Sequence, residues 1–223
     1  MITNDQSSCN RPWVNYVIRV PMAHHEFNPQ DHYNKSAKWQ HFVARSIYKL
    51  QEIDQKYNLI DKKCKRILDI GCSPGSRLQY VHHKIGKNPW FQAIWLDIQP
   101  VKIHLPWITT YVVDATDRLV CEGIMQDNLI EKFDCILSDL APHTIGFKDI
   151  DAMRCIGILE WTLWLYEDYL KSWWTFAMKI FMGPWFDEFV WHCKKLRWAT
   201  CIKLMKPKAC RDISKEVYIV KWR

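Results

Sequence analysis

The stretch "RILDIGCSPGS", residues 66–76, indicates the fold of this chain. It joins a short apolar run to a turn bracketed by Gly71 and Gly75, and a helical pattern follows. Such a turn lets the backbone approach a ligand closely and points the amides of a helix N-terminus at it. The full G-x-G-x-x-G pattern is missing, so this stretch alone is also compatible with simple packing of a strand against a helix.

The rest of the chain repeats the alternation of strand and helix patterns. Strands alternating with helices predict a mostly parallel sheet that is covered on both faces. The last two strand patterns are joined by "KPKACRDISK" without a helix, which predicts a closing antiparallel hairpin. The sequence therefore predicts a doubly wound, Rossmann-like α/β fold with seven strands. The predicted strands are 66–70, 91–97, 110–114, 133–139, 175–181, 199–205 and 216–222, and the predicted helices are 76–86, 118–131, 150–171 and 185–197.

The N-terminal part has a different character. Residues 1–35 are polar and contain Pro12, Pro21 and Pro29, so they are predicted to form an irregular extension. A helical pattern then dominates residues 31–57. The remaining residues, 36–223, are predicted to form a single domain, because 223 residues suit one domain of ordinary size with a small appendage.

Composition narrows the class of protein. A hydrophobic fraction of 48% is ample for a core, and no apolar run approaches the roughly 18 residues that span a bilayer. The N-terminus has no secretory signal, and the nine scattered cysteines include no C-x-x-C pair. This cysteine pattern argues against a disulfide framework or zinc site and favours a reducing compartment, so we expect a cytoplasmic protein away from membranes. The net charge of +7 is compatible with a polyanionic partner without establishing one.

Acidic residues follow successive predicted strands. Asp97 closes the second, Asp114 the third and Asp139 the fourth, the last within "ILSDLAPHTIGFKDID", residues 136–151. A single such Asp could simply cap a turn. However, the carboxyl ends of parallel strands meet at one edge, where ligands of this fold bind. Asp97 is placed to bind the hydroxyls of a ribose, and Asp114 is placed to accept from an adenine amine.

Basic residues are predicted to join this edge. Lys179 lies inside the apolar strand "FAMKIF", where a lysine is costly unless its charge is paired. Lys49 lies on the helix of residues 31–57, and Glu216 opens the last strand. Lys49 and Glu216 taken singly are more typical of surface side chains. Together with Asp139 they would form a self-neutralising cluster of two lysines and two carboxylates.

These motifs resemble the FtsJ/RrmJ family of S-adenosylmethionine-dependent RNA ribose 2′-O-methyltransferases. The resemblance covers roughly residues 31–223, and its specific blocks are "SDLAP…G…D…R" and "KPKA-x-R…S-x-E-x-Y". It implies a methyltransferase fold, S-adenosylmethionine as cofactor with S-adenosylhomocysteine as product, and no metal. The family's catalytic Lys-Asp-Lys-Glu tetrad falls on Lys49, Asp139, Lys179 and Glu216. Its cofactor contacts fall on Gly71, Gly75, Asp97, Asp114 and Asp139, with Arg77 at the position after the cofactor turn.

The resemblance implies methylation of a ribose 2′-hydroxyl in RNA, most simply a uridine of bacterial large-subunit ribosomal RNA, by a monomer. In this interpretation Lys179 deprotonates or orients the hydroxyl, Asp139 holds Lys179, and the other two members complete the network. Phosphates would be neutralised by basic residues that include Arg45, Lys206, Lys208 and Arg211.

Two alternatives remain open at this stage. One is a ribose methyltransferase acting on tRNA or the mRNA cap, since similar families use the same tetrad. The other is an RNA-binding ribosome-assembly module with little catalytic activity, which is favoured by the departures from the family pattern at Ser76, Arg77 and Trp173-Trp174.

Overall fold

The computed structural model describes residues 32–196, 201–211 and 213–222. Helices and strands alternate along most of this part of the chain. The elements are α1 (His32–Trp39), α2 (Ser46–Tyr57), β1 (Arg66–Ile70), α3 (Ser76–Ile85), β2 (Gln92–Asp97), β3 (Ile108–Val112), α4 (Arg118–Asp127), β4 (Phe133–Ser138), α5 (Lys148–Tyr169), β5 (Leu170–Phe181), α6 (Phe186–Lys195), β6 (Ile202–Met205) and β7 (Glu216–Lys221).

The strands form one seven-stranded sheet in the order β3-β2-β1-β4-β5-β7-β6. Strands β1 to β5 pair in parallel, whereas β7 pairs antiparallel with both β5 and β6. This arrangement confirms the predicted doubly wound α/β fold and its antiparallel C-terminal hairpin. Strands β2 and β3 lie on one side of β1, and β4 and β5 lie on the other side. The order of the strands therefore reverses between β1 and β4, where this fold places its ligands.

Each face of the sheet has its own hydrophobic core. One core lies under α2 and α3 and includes Leu50, Ile53 and Val81, while the other lies under α4, α5 and α6. Every residue of β4 is buried, which explains why its sequence reads as a continuous apolar run rather than an alternating one. Full burial of a large aliphatic side chain contributes roughly 1.5–3 kcal/mol, so the central strands anchor the positions of the residues that follow them.

The helical pattern of residues 31–57 corresponds to two helices rather than one. The chain forms α1 and α2 with a break between them, where His41 adopts a left-handed conformation with φ 57°. Gln79 of α3 stabilises this break, since its side chain donates to the His41 carbonyl and accepts from the Val43 amide, both at 3.0 Å. Helix α1 also crosses the predicted boundary at residue 35, and the rest of the predicted extension, residues 1–31, lies outside the described residues.

Candidate active site

The Lys179–Asp139 pair lies at the centre of the sheet edge. Asp139 directly follows β4, and Lys179 lies in β5 beside it. The Lys179 ammonium donates to the Asp139 main-chain carbonyl at 2.6 Å and lies 3.1 Å from Oδ1 of the carboxylate. The lysine side chain is only 9% exposed, so this pairing offsets much of the cost of burying its charge. Burial alone would raise the pKa of Asp139, but Lys179, Arg77 and Lys49 hold it well below its usual range.

A second ion pair, Lys49–Glu216, joins α2 to the start of β7. The Lys49 ammonium donates to both carboxylate oxygens of Glu216, at 2.6 and 2.9 Å. Glu216 reaches this edge because β7 runs antiparallel to β5, which places the first residue of β7 opposite Phe181, the last of β5. Burial would lower the pKa of Lys49, but Asp139 and Glu216 outweigh it and raise this pKa. The Lys49 side chain therefore remains charged.

Tyr218 connects the two pairs. Its hydroxyl lies 2.9 Å from Asp139 Oδ1 and 2.9 Å from Glu216 Oε1. A phenol carries one proton, so Tyr218 donates to one of these carboxylates at a time. Burial and the two carboxylates raise the pKa of Tyr218, which keeps the hydroxyl protonated. The structure thus brings all four predicted tetrad residues into one network through a fifth residue that sequence reasoning missed, since "EVYIV" is typical of a core strand.

Arg77 lies beneath this network rather than in front of the cofactor turn. Its Nη2 lies 2.6 Å from Asp69 Oδ1 and donates to the Gly71 carbonyl at 2.7 Å, while Nη1 lies 3.9 Å from Asp139 Oδ2. The resemblance grouped Arg77 with the cofactor contacts, but its guanidinium is buried on the inner side of the turn. Burial raises the pKa of Asp69 to about 7, against the lowering effect of Arg77.

The turn after β1 is pressed against the end of β4. Gly71 has φ +72°, and a Cβ atom added there would lie 2.9 Å from the Leu140 amide nitrogen and 3.1 Å from the Asp139 carbonyl carbon. Only glycine fits such a position without strain. Gly75, with φ 111°, is the N-cap residue of α3 and supplies no capping side chain. The amides of the first turn of α3 are therefore available to an anionic ligand group.

Asp97 and Asp114 follow the next strands on the same edge. Asp97 accepts from the Ser73 amide at 2.7 Å and from the Gln99 amide at 2.8 Å. Asp114 accepts from the Thr116 amide at 2.9 Å. Both carboxylates thus stabilise turns, as isolated strand-end aspartates commonly do. An ionised carboxylate offers about four acceptor positions, so each retains capacity for the hydroxyls or amine of a nucleoside.

A cavity of about 720 Å³ opens on the other side of the Lys49–Glu216 pair, between α1 and the loop before β7. Its apolar lining includes Phe181 and Ile213. Basic side chains outnumber acidic ones around it, which suits a ligand that combines an apolar ring with phosphates. The basic lining residues are Lys38, Lys49, Arg45, Lys148, Arg211 and Lys215, and the acidic ones are Asp151 and Glu216.

The site can therefore hold a nucleoside-type ligand at the turn and a phosphate-bearing ligand in the cavity, with a paired lysine between them. In the described ranges no three potential metal ligands cluster together, and no helix has the length and apolar character needed to cross a membrane.

Comparison with known proteins finds a matching family model and similar sequences for this chain. The family model described as FtsJ-like methyltransferase matches residues 42–223. The chain is similar to the ribosomal RNA large subunit methyltransferase E of Desulforapulum autotrophicum, with 36% identity over 85% of this chain and 90% of the relative. The protein of the same name from Bdellovibrio bacteriovorus is 32% identical over 87% of this chain and 96% of the relative.

Solved structures show the same fold at lower identity. A Plasmodium falciparum protein described as a ribosomal RNA methyltransferase superimposes with a TM-score of 0.67 and 24% identity, over 82% of this chain and 98% of that one. A TehB-like SAM-dependent methyltransferase from Corynebacterium glutamicum superimposes with a TM-score of 0.52 and 16% identity, over 88% of this chain and all of the other.

Proposed function

Because the chain belongs to the FtsJ-like methyltransferase family, we propose that it methylates a ribose 2′-hydroxyl of large-subunit ribosomal RNA. The methyl donor is S-adenosylmethionine. The observation that carries the proposal is the network of Lys49, Glu216, Tyr218, Asp139 and Lys179 between the glycine turn and the basic cavity. The relatives' names supply the substrate, large-subunit ribosomal RNA.

The residues at the turn fit the methyl donor. Gly71 and Gly75 add no side chains of their own to the turn, and Val101 and Ile103 pack against Gly75. The uncapped amides of α3 suit the carboxylate of the methionine part. Asp97 would hold the ribose hydroxyls, and Asp114 would accept from the adenine amine. S-adenosylmethionine supplies an electrophilic methyl group when it is bound.

Lys179 is the proposed catalytic residue. Its ammonium is fixed by two contacts with Asp139, so it can present a defined nitrogen to the acceptor ribose. In the proposed role Lys179 first releases one of its own protons to solvent; the neutral amine then orients the 2′-hydroxyl and takes up its proton, while Asp139 holds the lysine in place. Lys49 and Glu216 border the cavity and would hold the acceptor nucleotide.

The basic residues around the cavity would bind RNA phosphates. Arg45 and Arg211 line the cavity, while Lys208 is exposed nearby on the loop before β7. If these side chains neutralise phosphates, the logarithm of RNA affinity falls linearly with the logarithm of salt concentration. Changing Arg211 to Gln should then lower that slope by about one. A slope unchanged in this variant would remove Arg211 from the RNA contacts.

Methyl-transfer assays with radiolabelled S-adenosylmethionine test the proposal directly. The acceptors are large ribosomal subunits, free large-subunit RNA and tRNA, followed by mapping of 2′-O-methylated positions. We expect label at a ribose of large-subunit RNA. Label confined to tRNA would favour the first alternative function. RNA binding without transfer, and without S-adenosylmethionine binding by calorimetry, would favour an assembly module.

The proposal also covers the organisation of the protein. We propose a single methyltransferase domain from residue 36 onward that acts as a monomer in the cytoplasm. Support comes from the continuous sheet of β1 to β7 and from the family match over residues 42–223. Sedimentation equilibrium at increasing protein concentration would detect a dimer and refute the monomeric state.

A further inference from the structure

The geometry points to Arg77 as a positioning residue that holds the Asp139 carboxylate at a fixed place relative to the glycine turn of residues 71–75. This inference rests on the proposed function, since Asp139 is the residue that holds Lys179. Arg77 is one of the positions at which the chain departs from the family pattern. The inference assigns it a role in methyl transfer without contact with either substrate.

Four contacts place the guanidinium between the turn and the catalytic carboxylate. Arg77 donates to the Gly71 carbonyl at 2.7 Å and to the Ile70 carbonyl at 3.3 Å. The same group lies 2.6 Å from Asp69 and 3.9 Å from Asp139. The side chain is 7% exposed, so water does not screen these interactions strongly. A planar guanidinium has five N–H donors in a fixed fork, so it can face two carbonyls and two carboxylates, whereas an ammonium has only three donors.

The charges around Asp139 show why this cation matters. Lys179 faces Asp139 from β5, Lys49 from α2, Arg77 from α3, and the Tyr218 hydroxyl from β7. The acidic groups near it are Asp69, in β1, and Glu216, which shares the Tyr218 hydroxyl with it. Arg77 lies against Asp69 and Asp139 and separates their charges. Without it, the two carboxyl groups would lose the cation that they share, and Asp139 would lose one of the groups that fix it beside Lys179.

A purely structural role predicts something different. If Arg77 served only to neutralise Asp69, then removing both charges together would leave the active site intact. If Arg77 positions Asp139, then the same double change would leave methyl transfer slow, because the contacts to Gly71 and Asp139 would still be missing. The double variant Asp69→Asn/Arg77→Met separates these roles and avoids the unpaired buried carboxylate of Arg77→Met alone.

The experiment measures single-turnover methyl transfer to large-subunit RNA, with saturating S-adenosylmethionine, from pH 6 to 9. We expect Arg77→Met and the double variant to transfer methyl about 10- to 100-fold more slowly than the parent, the range for a misplaced catalytic group. Because a cation beside the Lys179–Asp139 pair is lost, proton binding to the pair becomes more favourable, and the acid limb of the rate profile should move to higher pH in both variants.

Lys171→Met is the matched control. Lys171 pairs with the buried carboxylate of Asp134 at 2.6 Å, at the start of β4 and therefore at the opposite edge of the sheet. Its rate and profile should match those of the parent. A double variant within about twofold of the parent rate, or an unshifted acid limb, would overturn the proposed role of Arg77 but leave the proposed function in place. Absence of transfer by the parent protein would overturn the proposed function as well.

Discussion

Changing Lys179 to Met removes the nitrogen proposed to meet the acceptor ribose while it keeps an unbranched side chain in β5. The variant loses a contact of 2.6 Å to the Asp139 carbonyl and one of 3.1 Å to its carboxylate. A positioned acid–base group contributes typically 10²- to 10⁴-fold in rate, or about 2.7–5.4 kcal/mol of barrier. We therefore expect single-turnover methyl transfer to slow by about that factor.

The stability cost of this change should be smaller than the catalytic cost. Breaking a buried ion pair typically costs about 3–5 kcal/mol, because one charge is left without a partner. In this site Arg77, Lys49 and Tyr218 still face Asp139 after Lys179 is removed, so the loss should fall below that range. Urea unfolding monitored by tryptophan fluorescence measures it, and calorimetry should show that S-adenosylmethionine binding persists.

Lys221 provides a matched control for Lys179. It is also a buried lysine within a strand, and it donates to the Ser172 and Trp174 carbonyls at the opposite edge of the sheet. Lys221→Met should reduce stability without changing the rate of methyl transfer. If Lys179→Met remains folded and transfers methyl at nearly the parent rate, then Lys179 does not act on the hydroxyl and the proposed mechanism is wrong.

Three further predictions concern other residues of the site. Asp97→Ala should weaken S-adenosylmethionine binding by about 1.5–3 kcal/mol, since a charged hydrogen bond is lost, and equal affinities in calorimetry would contradict its role. Tyr218→Phe should lower the free energy of unfolding by about 1.5–3 kcal/mol, because the lost hydroxyl contacts the Asp139 and Glu216 carboxylates. A cost no larger than that of a surface Tyr→Phe change would show that these contacts do not stabilise the protein. Folding raises the pKa of Asp69 to about 7, so between about pH 4 and pH 7 the folded protein binds a proton that the unfolded chain has lost. The contribution of Asp69 to the free energy of unfolding should therefore fall as pH rises through this range. Asp69→Asn should remove that part of the pH dependence in urea titrations, and an unchanged dependence would show that Asp69 ionises normally.

The central strands of the sheet could be predicted because they are buried on both faces. The apolar run of residues 133–139 corresponds to β4, and the run of residues 66–70 has the same bounds as β1. Parallel strands bring their carboxyl ends to one edge, so Asp97 and Asp139 could be grouped by their positions in the sequence alone. The break between α1 and α2 could not be predicted, because neither Gly nor Pro marks it and the contact with Gln79 comes from a distant part of the chain.

The parts of the site that were missed are those that depend on side-chain direction. Asp69 is a charged residue inside an apolar strand, and the rule that singled out Lys179 also applies to it. Its partner, Arg77, comes from the next element, and whether that side chain points to the ligand or into the core depends on packing under the turn. Tyr218 belongs to the "S-x-E-x-Y" block, but the block assigns it no role, and only the fold places its hydroxyl between two carboxylates.

The position of β7 in the sheet determines when the site can be completed during synthesis of the chain. The glycine turn, Asp97, Asp114 and Asp139 are all synthesised before Lys179, and Glu216 and Tyr218 come later still. Strand β7 must then insert between β5 and β6 before Glu216 can meet Lys49. At translation rates of about 5–20 residues per second, a growing chain spends several seconds with its donor-binding half complete and its acceptor half missing. Until β7 is in place, a nascent chain lacks two of the five residues of the proposed catalytic network, Glu216 and Tyr218.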